Sequence, residues 1–112
     1  MSLTKPQLSL IRKGLISAKK YLWLGEGPVT IIDPRMAMKW AHRKGEISNR
    51  SLSLSSQLIE ERLGGKDSLR TWLYSQGIPL NDLSHKNVQA HTLAWIDDIL
   101  EKLGNEQQYS EK

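Results

Sequence analysis

The sequence predicts an all-α domain, a compact bundle of about five short helices with little or no sheet. Apolar residues recur at helical spacing in several segments, and residues typical of helix starts and ends lie at the boundaries of these segments. Only residues 29–32 have the β-branched composition of a strand. Because four residues cannot form a sheet alone, we expect an extended lead-in there.

The size and composition indicate one domain, residues 1–104, followed by a polar C-terminal tail at 105–112. A chain of 112 residues can bury one core. The absence of cysteine excludes disulfides and thiolate chemistry. Its apolar runs are far shorter than the roughly 20 residues of a membrane span. The N-terminus also lacks a basic-then-apolar signal pattern. These features favour a cytoplasmic protein that does not bind membranes.

The first helix is predicted from about Thr4 to Leu24. Thr4 is a favoured N-cap residue, and Pro6 is tolerated in a first turn. Gly14 weakens the helix interior by about 1 kcal/mol relative to Ala. Spacings of three and four place one apolar stripe along this helix: Leu8, Ile11, Leu15, Ala18 and Leu22.

The second helix begins with the strongest start signal in the chain, Asp33 as N-cap followed by Pro34. It is predicted to end near Lys44, with Gly45 in the left-handed position that terminates helices. Its apolar face is predicted to consist of four residues: Met36, Ala37, Trp40 and Ala41. The polar side is predicted to carry four others: Arg35, Lys39, His42 and Arg43.

Three further helices are predicted in the second half of the chain. The third runs from about Leu52 to Leu63, and Gly64-Gly65 closes it. The fourth starts at Asp67 or Ser68 and ends at Gly77. The fifth starts at Ser84 and stops at Gly104, with these residues buried: Val88, Trp95, Ile96, Ile99, Leu100 and Leu103.

Charge is distributed unevenly along the chain. Residues 1–50 contain ten Lys or Arg against three acids, a net charge of +7, whereas residues 51–112 carry −3. Such a division can create a positive patch that attracts polyanions. It can equally be two faces that neutralise each other within one chain or across a dimer, or solvated faces that only maintain solubility. Asp97, Asp98 and Glu101 supply a candidate acidic partner on the last helix.

Basic residues follow one flank of each of the first two helices. If the two helices are adjacent, these flanks could form a surface that binds phosphates. The predicted binding residues are Lys5, Arg12, Lys13, Lys19 and Lys20 on the first helix, and Arg35, Lys39 and Arg43 on the second. Trp23, next to a glycine-rich turn, is the tryptophan most suited to an exposed partner contact, and the other three are expected mainly in the core.

Catalytic and metal-binding patterns are lacking in the sequence. No two of His42, His85 and His91 have the spacing of ligands on one helix face. Adjacent acidic pairs point in different directions on a helix, so they form no carboxylate dyad. Gly64-Gly65-Lys66 superficially suggests phosphate binding, but a helix C-cap and turn explains it better. We therefore expect no enzyme activity, no metal and no cofactor.

Three segments resemble a loose group of small uncharacterised proteins encoded by bacteriophages and prophages. They are LGGKDSLRTWLYSQG at 63–77, AWIDDIL at 94–100 and WAHRKGEIS at 40–48. Several members of this group have a Cys-containing apolar run before the middle segment, which this chain lacks. The resemblance implies a mobile-element context and no particular activity.

Two hypotheses follow from these observations. The first is a non-catalytic protein-interaction or regulatory module that binds a host or viral protein through an exposed apolar and basic surface, with self-association left open. The alternative is a nucleic-acid-binding protein that uses the basic flanks of the first two helices.

Overall fold

Five helices make up the part of the chain that the computed structural model describes, residues 3–22, 33–66, 68–79 and 85–110. No strand occurs within these ranges, which confirms the predicted all-α class. The predicted lead-in at 29–32 and the predicted caps Asp67 and Ser84 lie outside them. The helices are α1 (Lys5–Tyr21), α2 (Pro34–Arg43), α3 (Asn49–Leu63), α4 (Leu69–Ser75) and α5 (His85–Ser110).

Helix α1 lies at the centre of the bundle and packs against α2, α3 and α5, whereas α4 packs mainly on α5. Thr4 and Gln7 form a reciprocal capping box at its start, which satisfies two backbone N–H groups. All five residues of the predicted apolar stripe are buried, as the sequence predicted: Leu8, Ile11, Leu15, Ala18 and Leu22.

A close crossing joins α1 to α3 at Gly14. The Ser51 hydroxyl donates to the Leu10 carbonyl at 2.6 Å, and the Ser55 hydroxyl donates to the Ile11 carbonyl at 3.2 Å. A Cβ atom on Gly14 would lie 1.9 Å from Ser55 Oγ, so the helices could not keep this distance with a larger residue. Glycine is therefore required by packing here, despite its weak helix propensity.

Capping residues and left-handed glycines explain most of the helix ends. Asp33 accepts a hydrogen bond from the Arg35 backbone at 2.9 Å and caps α2 as predicted. Gly45 and Gly77 have φ angles of 76° and 72°, the left-handed conformation expected after a helix. Helix α3 starts earlier than predicted because Ser48 caps it by accepting from the Ser51 backbone.

Helix α5 is longer than predicted, because it passes Gly104 and continues to Ser110. A single glycine inside a helix costs only about 1 kcal/mol, which a long helix tolerates. Trp95, Ile96, Ile99 and Leu103 are buried as predicted. The predicted buried residues Val88 and Leu100 are only half-buried.

Buried polar groups connect α5 to the end of α1. The Gln89 side chain is buried and donates through Nε2 to the Leu22 carbonyl at 2.8 Å. This carbonyl belongs to the C-cap residue of α1, which has no partner within its own helix. The hydrogen bond therefore satisfies a helix end and fixes the position of α5 against it.

The orientation of α2 differs from the prediction. Met36 and Trp40 were expected in the core, but they are 48% and 37% exposed, and Met38 is fully buried instead. Two overlapping stripes share Ala37 and Ala41 on this helix, one including Met36 and Trp40 and the other including Met38. The stripe with Met38 packs inward, so the side chains of Met36 and Trp40 point outward.

Candidate interaction surface on α1 and α2

Four exposed residues form one face of α2, named here the α2 outer face: Met36, Lys39, Trp40 and Arg43. Their spacing of three, one and three residues places them on adjacent turns of the same side of the helix. The Arg43 guanidinium lies 5.7 Å from the centroid of the Trp40 ring, within cation–π distance. An apolar pair and a cationic pair therefore share one continuous solvent-facing patch.

This patch combines one lysine with three residue types that are enriched at protein interfaces. Aromatic residues, methionine and arginine are enriched at interfaces relative to other surfaces, and tryptophan and arginine dominate binding hot spots. Lysine stems can also cover apolar area while their charge stays in water. The α2 outer face combines these residue types within two helical turns.

Three of the cations predicted to bind, Lys19, Lys20 and Arg35, form ion pairs within the chain. Lys19 pairs with Asp97 of α5, as a short contact between Nζ and Oδ1. Lys20 Nζ lies 2.7 Å from Glu46 Oε1. Arg35 is the third, and it contacts two carboxylates, Asp33 at 2.8 Å and Glu60 at 3.7 Å.

These ion pairs neutralise part of the uneven charge within the chain. The Lys19–Asp97 and Arg35–Glu60 contacts each join the basic first half of the chain to the acidic second half. The acidic partner predicted on the last helix is thus engaged through Asp97. Exposed ion pairs contribute little to stability, but they lower the local positive potential of the α1 flank.

The other five predicted cations are exposed on the surface of α1 and α2: Lys5, Arg12, Lys13, Lys39 and Arg43. Because α1 and α2 pack against each other, the two flanks belong to neighbouring helices, as the predicted surface required. Lys39 and Arg43 adjoin the exposed side chains of Met36 and Trp40 on the α2 outer face. The predicted contact Trp23 lies outside the described residues.

Ile16 on α1 is a surface residue that the sequence interpretation did not single out. Its side chain is 57% exposed. Positions three and four residues away on either side all carry cations: Arg12, Lys13, Lys19 and Lys20. A search for isolated apolar residues on the polar side of α1 would have found it, because such spacing surrounds a residue on a helix surface.

The tryptophans divide between the core and the surface. Trp95 is 1% exposed and belongs to the core, as expected for most tryptophans in this chain. Trp72 is half-buried against the core, and Trp40 is on the α2 outer face. The expectation of a core position is therefore wrong for Trp40, whose orientation follows from the stripe that α2 buries.

Lys20, Tyr21 and Glu46 form a small polar network where α1 ends beside the turn after α2. Hydrogen bonds from Lys20 and Tyr21 hold the pKa of Glu46 below its ordinary value. Reciprocally, the hydrogen bond to Glu46 raises the pKa of Lys20 and that of the Tyr21 hydroxyl. The network therefore favours a charged carboxylate, a charged ammonium and a neutral phenol in the folded state.

Replacement of Glu46 by Gln should lower the thermal unfolding midpoint at pH 7. A depressed folded pKa means that ionised Glu46 stabilises the protein above its ordinary pKa of 4.5, and this contribution is lost as the pH falls through the lower folded value. The difference between Glu46→Gln and the wild type should therefore shrink below pH 4.5. Thermal melts from pH 7 to pH 3 measure it.

The matched control for this change is Glu101→Gln, which removes an exposed carboxylate from α5. We expect it to leave the midpoint at pH 7 nearly unchanged. A Glu46→Gln midpoint that equals the wild type at pH 7, or a deficit that grows in acid, would contradict the role assigned to Glu46.

Hollows among the described residues lie away from the basic flanks. One has a volume of about 220 Å³ and lies among the end of α3, α4 and α5. Another is a groove of about 400 Å³ with a wall of mixed polar and apolar residues between the start of α1, α3 and Leu103 of α5. Among the described residues, none that the sequence predicted to bind a partner lines either hollow.

The described ranges contain neither a metal-binding cluster nor a membrane-spanning helix. Within these ranges no group of three or more His, Asp or Glu side chains could hold a metal ion. None of the helices in the same ranges combines the length and the hydropathy required to cross a bilayer. Comparison of the chain with protein-family models, with curated proteins and with solved structures gave no match.

Proposed function

We propose that the protein is a non-catalytic interaction module whose α2 outer face binds an acidic, amphipathic segment of another protein. The observation that carries this proposal is the exposure of Met36 and Trp40 on adjacent turns, with Lys39 and Arg43 beside them. Burying apolar area from water contributes about 25 cal/mol per Å². Trp40 and Met36 are the residues on this face from which a partner would gain most.

Charge complementarity defines the chemistry of the partner. Lys39 and Arg43 carry the cations of the face, and Lys13 lies exposed on the neighbouring helix α1. A partner with carboxylates around an apolar ridge would match both components, and opposite charges would also increase its association rate. An amphipathic helix with Leu or Phe on one side and Glu on its flanks has this pattern.

The proposal also covers the biological setting in which the protein acts. The resemblance of three segments to phage and prophage proteins supports an origin in a mobile element and a partner from the host or the virus. Such a module would act in the cytoplasm and regulate its partner by binding to it. Self-association through the same face is a distinct outcome that a binding experiment can detect.

Nucleic-acid binding is the alternative that the exposed cations favour. Its support is weaker, because Lys19, Lys20 and Arg35 have carboxylate partners within the chain. Single-strand binding surfaces generally stack several bases on several aromatic side chains, and the α2 outer face offers Trp40 alone. Salt dependence of DNA binding separates this alternative from the protein partner.

The proposal is tested with a labelled acidic amphipathic peptide of roughly 15 residues or more, the length at which isolated helices become stable. Trp40→Ala should weaken binding about thirtyfold or more, because hot-spot truncations cost about 2 kcal/mol or above. The double variant Lys39→Glu with Arg43→Glu should abolish it. Fluorescence anisotropy of the peptide measures both, with sedimentation reporting self-association.

Helix α4 offers matched controls. Tyr74→Ala removes a more exposed aromatic residue, at 69%, and Arg70→Glu reverses an exposed cation. Both should leave peptide affinity unchanged. Equal losses in control and α2 variants would contradict the proposed face. Binding of duplex or single-stranded DNA in preference to the peptide, lost steeply with added salt, would favour the alternative.

A further inference from the structure

We propose that Met36 is a reversible oxidation site that switches the α2 outer face from an apolar to a polar state. The modification itself rests on the exposure of Met36, whereas its effect on binding rests on the function proposed above. Met36 is 48% exposed, and it supplies one of the two apolar side chains of this face. Oxidation at this residue therefore alters the face without entering the core.

Two methionines on the same helix differ in their access to an oxidant. Met36 is 48% exposed, whereas Met38, two residues further along α2, is fully buried. An oxidant must touch the sulfur to react with it, so the susceptibility of a side chain follows its exposure. The orientation of α2 in the bundle therefore presents one thioether to solvent and protects the other.

Hydrogen peroxide is the oxidant that this site would use. The thioether sulfur attacks one peroxide oxygen, so an S–O bond forms while the O–O bond breaks. The sulfur loses two electrons, and the second oxygen leaves as hydroxide, takes the remaining proton and becomes water. The products are one methionine sulfoxide and one water. The chain contains no cysteine, so no thiol of the protein competes for the peroxide.

The sulfoxide can be returned to the thioether. Methionine sulfoxide reductases catalyse this step, with one class of enzyme for each epimer at sulfur. Two thiols supply two electrons and two protons, become a disulfide, and release the oxygen as water. Exposure on a helix surface makes the Met36 sulfoxide accessible to such an enzyme, which makes the modification reversible.

Oxidation changes what the α2 outer face offers to a partner. The thioether is apolar, whereas the sulfoxide is polar and accepts hydrogen bonds. A polar group that is buried without a hydrogen-bond partner costs free energy, so an apolar ridge would cover the sulfoxide at a loss. Trp40 lies four residues from Met36, a spacing at which side chains are neighbours on a helix. The sulfoxide oxygen is therefore placed beside the aromatic residue of the face.

Peroxide treatment of the folded protein, followed by tryptic mass spectrometry, tests the modification. Cleavage after Arg35 and Lys39 releases both methionines in one peptide, whose fragment ions distinguish the two sites. Met36 should gain oxygen about tenfold faster than Met38 or more, because Met38 reacts only after local unfolding of α2. In urea the two rates should become equal. Equal rates in the folded protein, or no oxidation of Met36, would overturn the proposal.

Fluorescence anisotropy with the acidic amphipathic peptide, after removal of the peroxide, tests the switch. Oxidised protein should bind about tenfold more weakly, since a polar group replaces an apolar one in the contact. A sulfoxide reductase with dithiothreitol should restore the affinity. Met36→Gln should bind weakly without any oxidant. Met36→Leu is the matched control: it should bind as the wild type does, before and after peroxide, while it retains Met1 and Met38.

The outcomes separate the switch from the proposed binding face. If Trp40→Ala weakens peptide binding and oxidation of Met36 does not, the face stands and the switch is overturned. A loss of affinity in peroxide-treated Met36→Leu as large as that of the wild type also overturns the switch. If the reduced protein does not bind the peptide, the proposed function and the switch fail together, while the mass spectra decide independently whether Met36 is the oxidation site.

Discussion

Gly14→Ala should destabilise the fold by about 2 kcal/mol, although alanine is the better helix former. Alanine gains about 1 kcal/mol in helix propensity. Its Cβ, however, would lie 1.9 Å from Ser55 Oγ, 2.6 Å from Ser55 Cβ and 3.3 Å from the Ser51 carbonyl oxygen. Overpacking costs about 1–3 kcal/mol, and each displaced hydrogen bond costs a further 0.5–1.5 kcal/mol or so.

Urea unfolding of a variant series measures this effect and its cause. Gly64→Ala is the control, because nothing lies within 4 Å of its added Cβ, and we expect little change. Ser55→Gly should restore part of the stability of Gly14→Ala, since it removes both clashing atoms. Ser55→Ala should restore less because its Cβ remains. Strictly additive effects of Gly14→Ala and Ser55→Gly would contradict the close crossing.

Trp95→Ala should cost about 3–5 kcal/mol, whereas Trp40→Ala should cost about 1–2 kcal/mol. Trp95 is 1% exposed in the core, and truncation of a buried tryptophan leaves a large cavity. Trp40 is 37% exposed on the α2 outer face, so its truncation removes less packing than truncation of Trp95 and leaves no enclosed cavity. Domains of this size have about 5–15 kcal/mol of total stability, so the Trp95 variant would lose a large share of it.

The same denaturation series tests the free face of α2. Equal losses for the two tryptophan variants would place Trp40 in the core and remove the basis of the proposed interaction surface. A loss of stability for Trp40→Ala well below that of Trp95→Ala, combined with weaker peptide binding, would separate its role in binding from its role in packing. Tyr74→Ala provides the baseline for an exposed aromatic residue.

Local patterns predicted much of this fold. The α1 stripe was predicted correctly because five apolar residues at regular spacing leave only one face to bury. The predicted helix boundaries at Asp33, Gly45 and Gly77 were also correct. Capping and left-handed turns depend on the residue itself and its immediate neighbours. Such short-range signals determine local structure largely independently of the rest of the chain.

Long-range features could not be predicted in the same way. The orientation of α2 depends on which of two overlapping stripes meets α1, and both are plausible in the sequence. The pairing of Lys19 with Asp97 joins residues 78 positions apart, so it follows from the packing of α5. The need for glycine at position 14 arises from Ser55 on another helix.

Nuclear magnetic resonance of the labelled protein, titrated with the acidic amphipathic peptide, tests the binding role of the α2 outer face most directly. We expect the largest shifts at the Trp40 indole and the Met36 methyl, with the Trp95 indole unchanged in the core. Shifts confined to α4 and α5, or absent from Trp40 and Met36 at saturating peptide, would contradict that role.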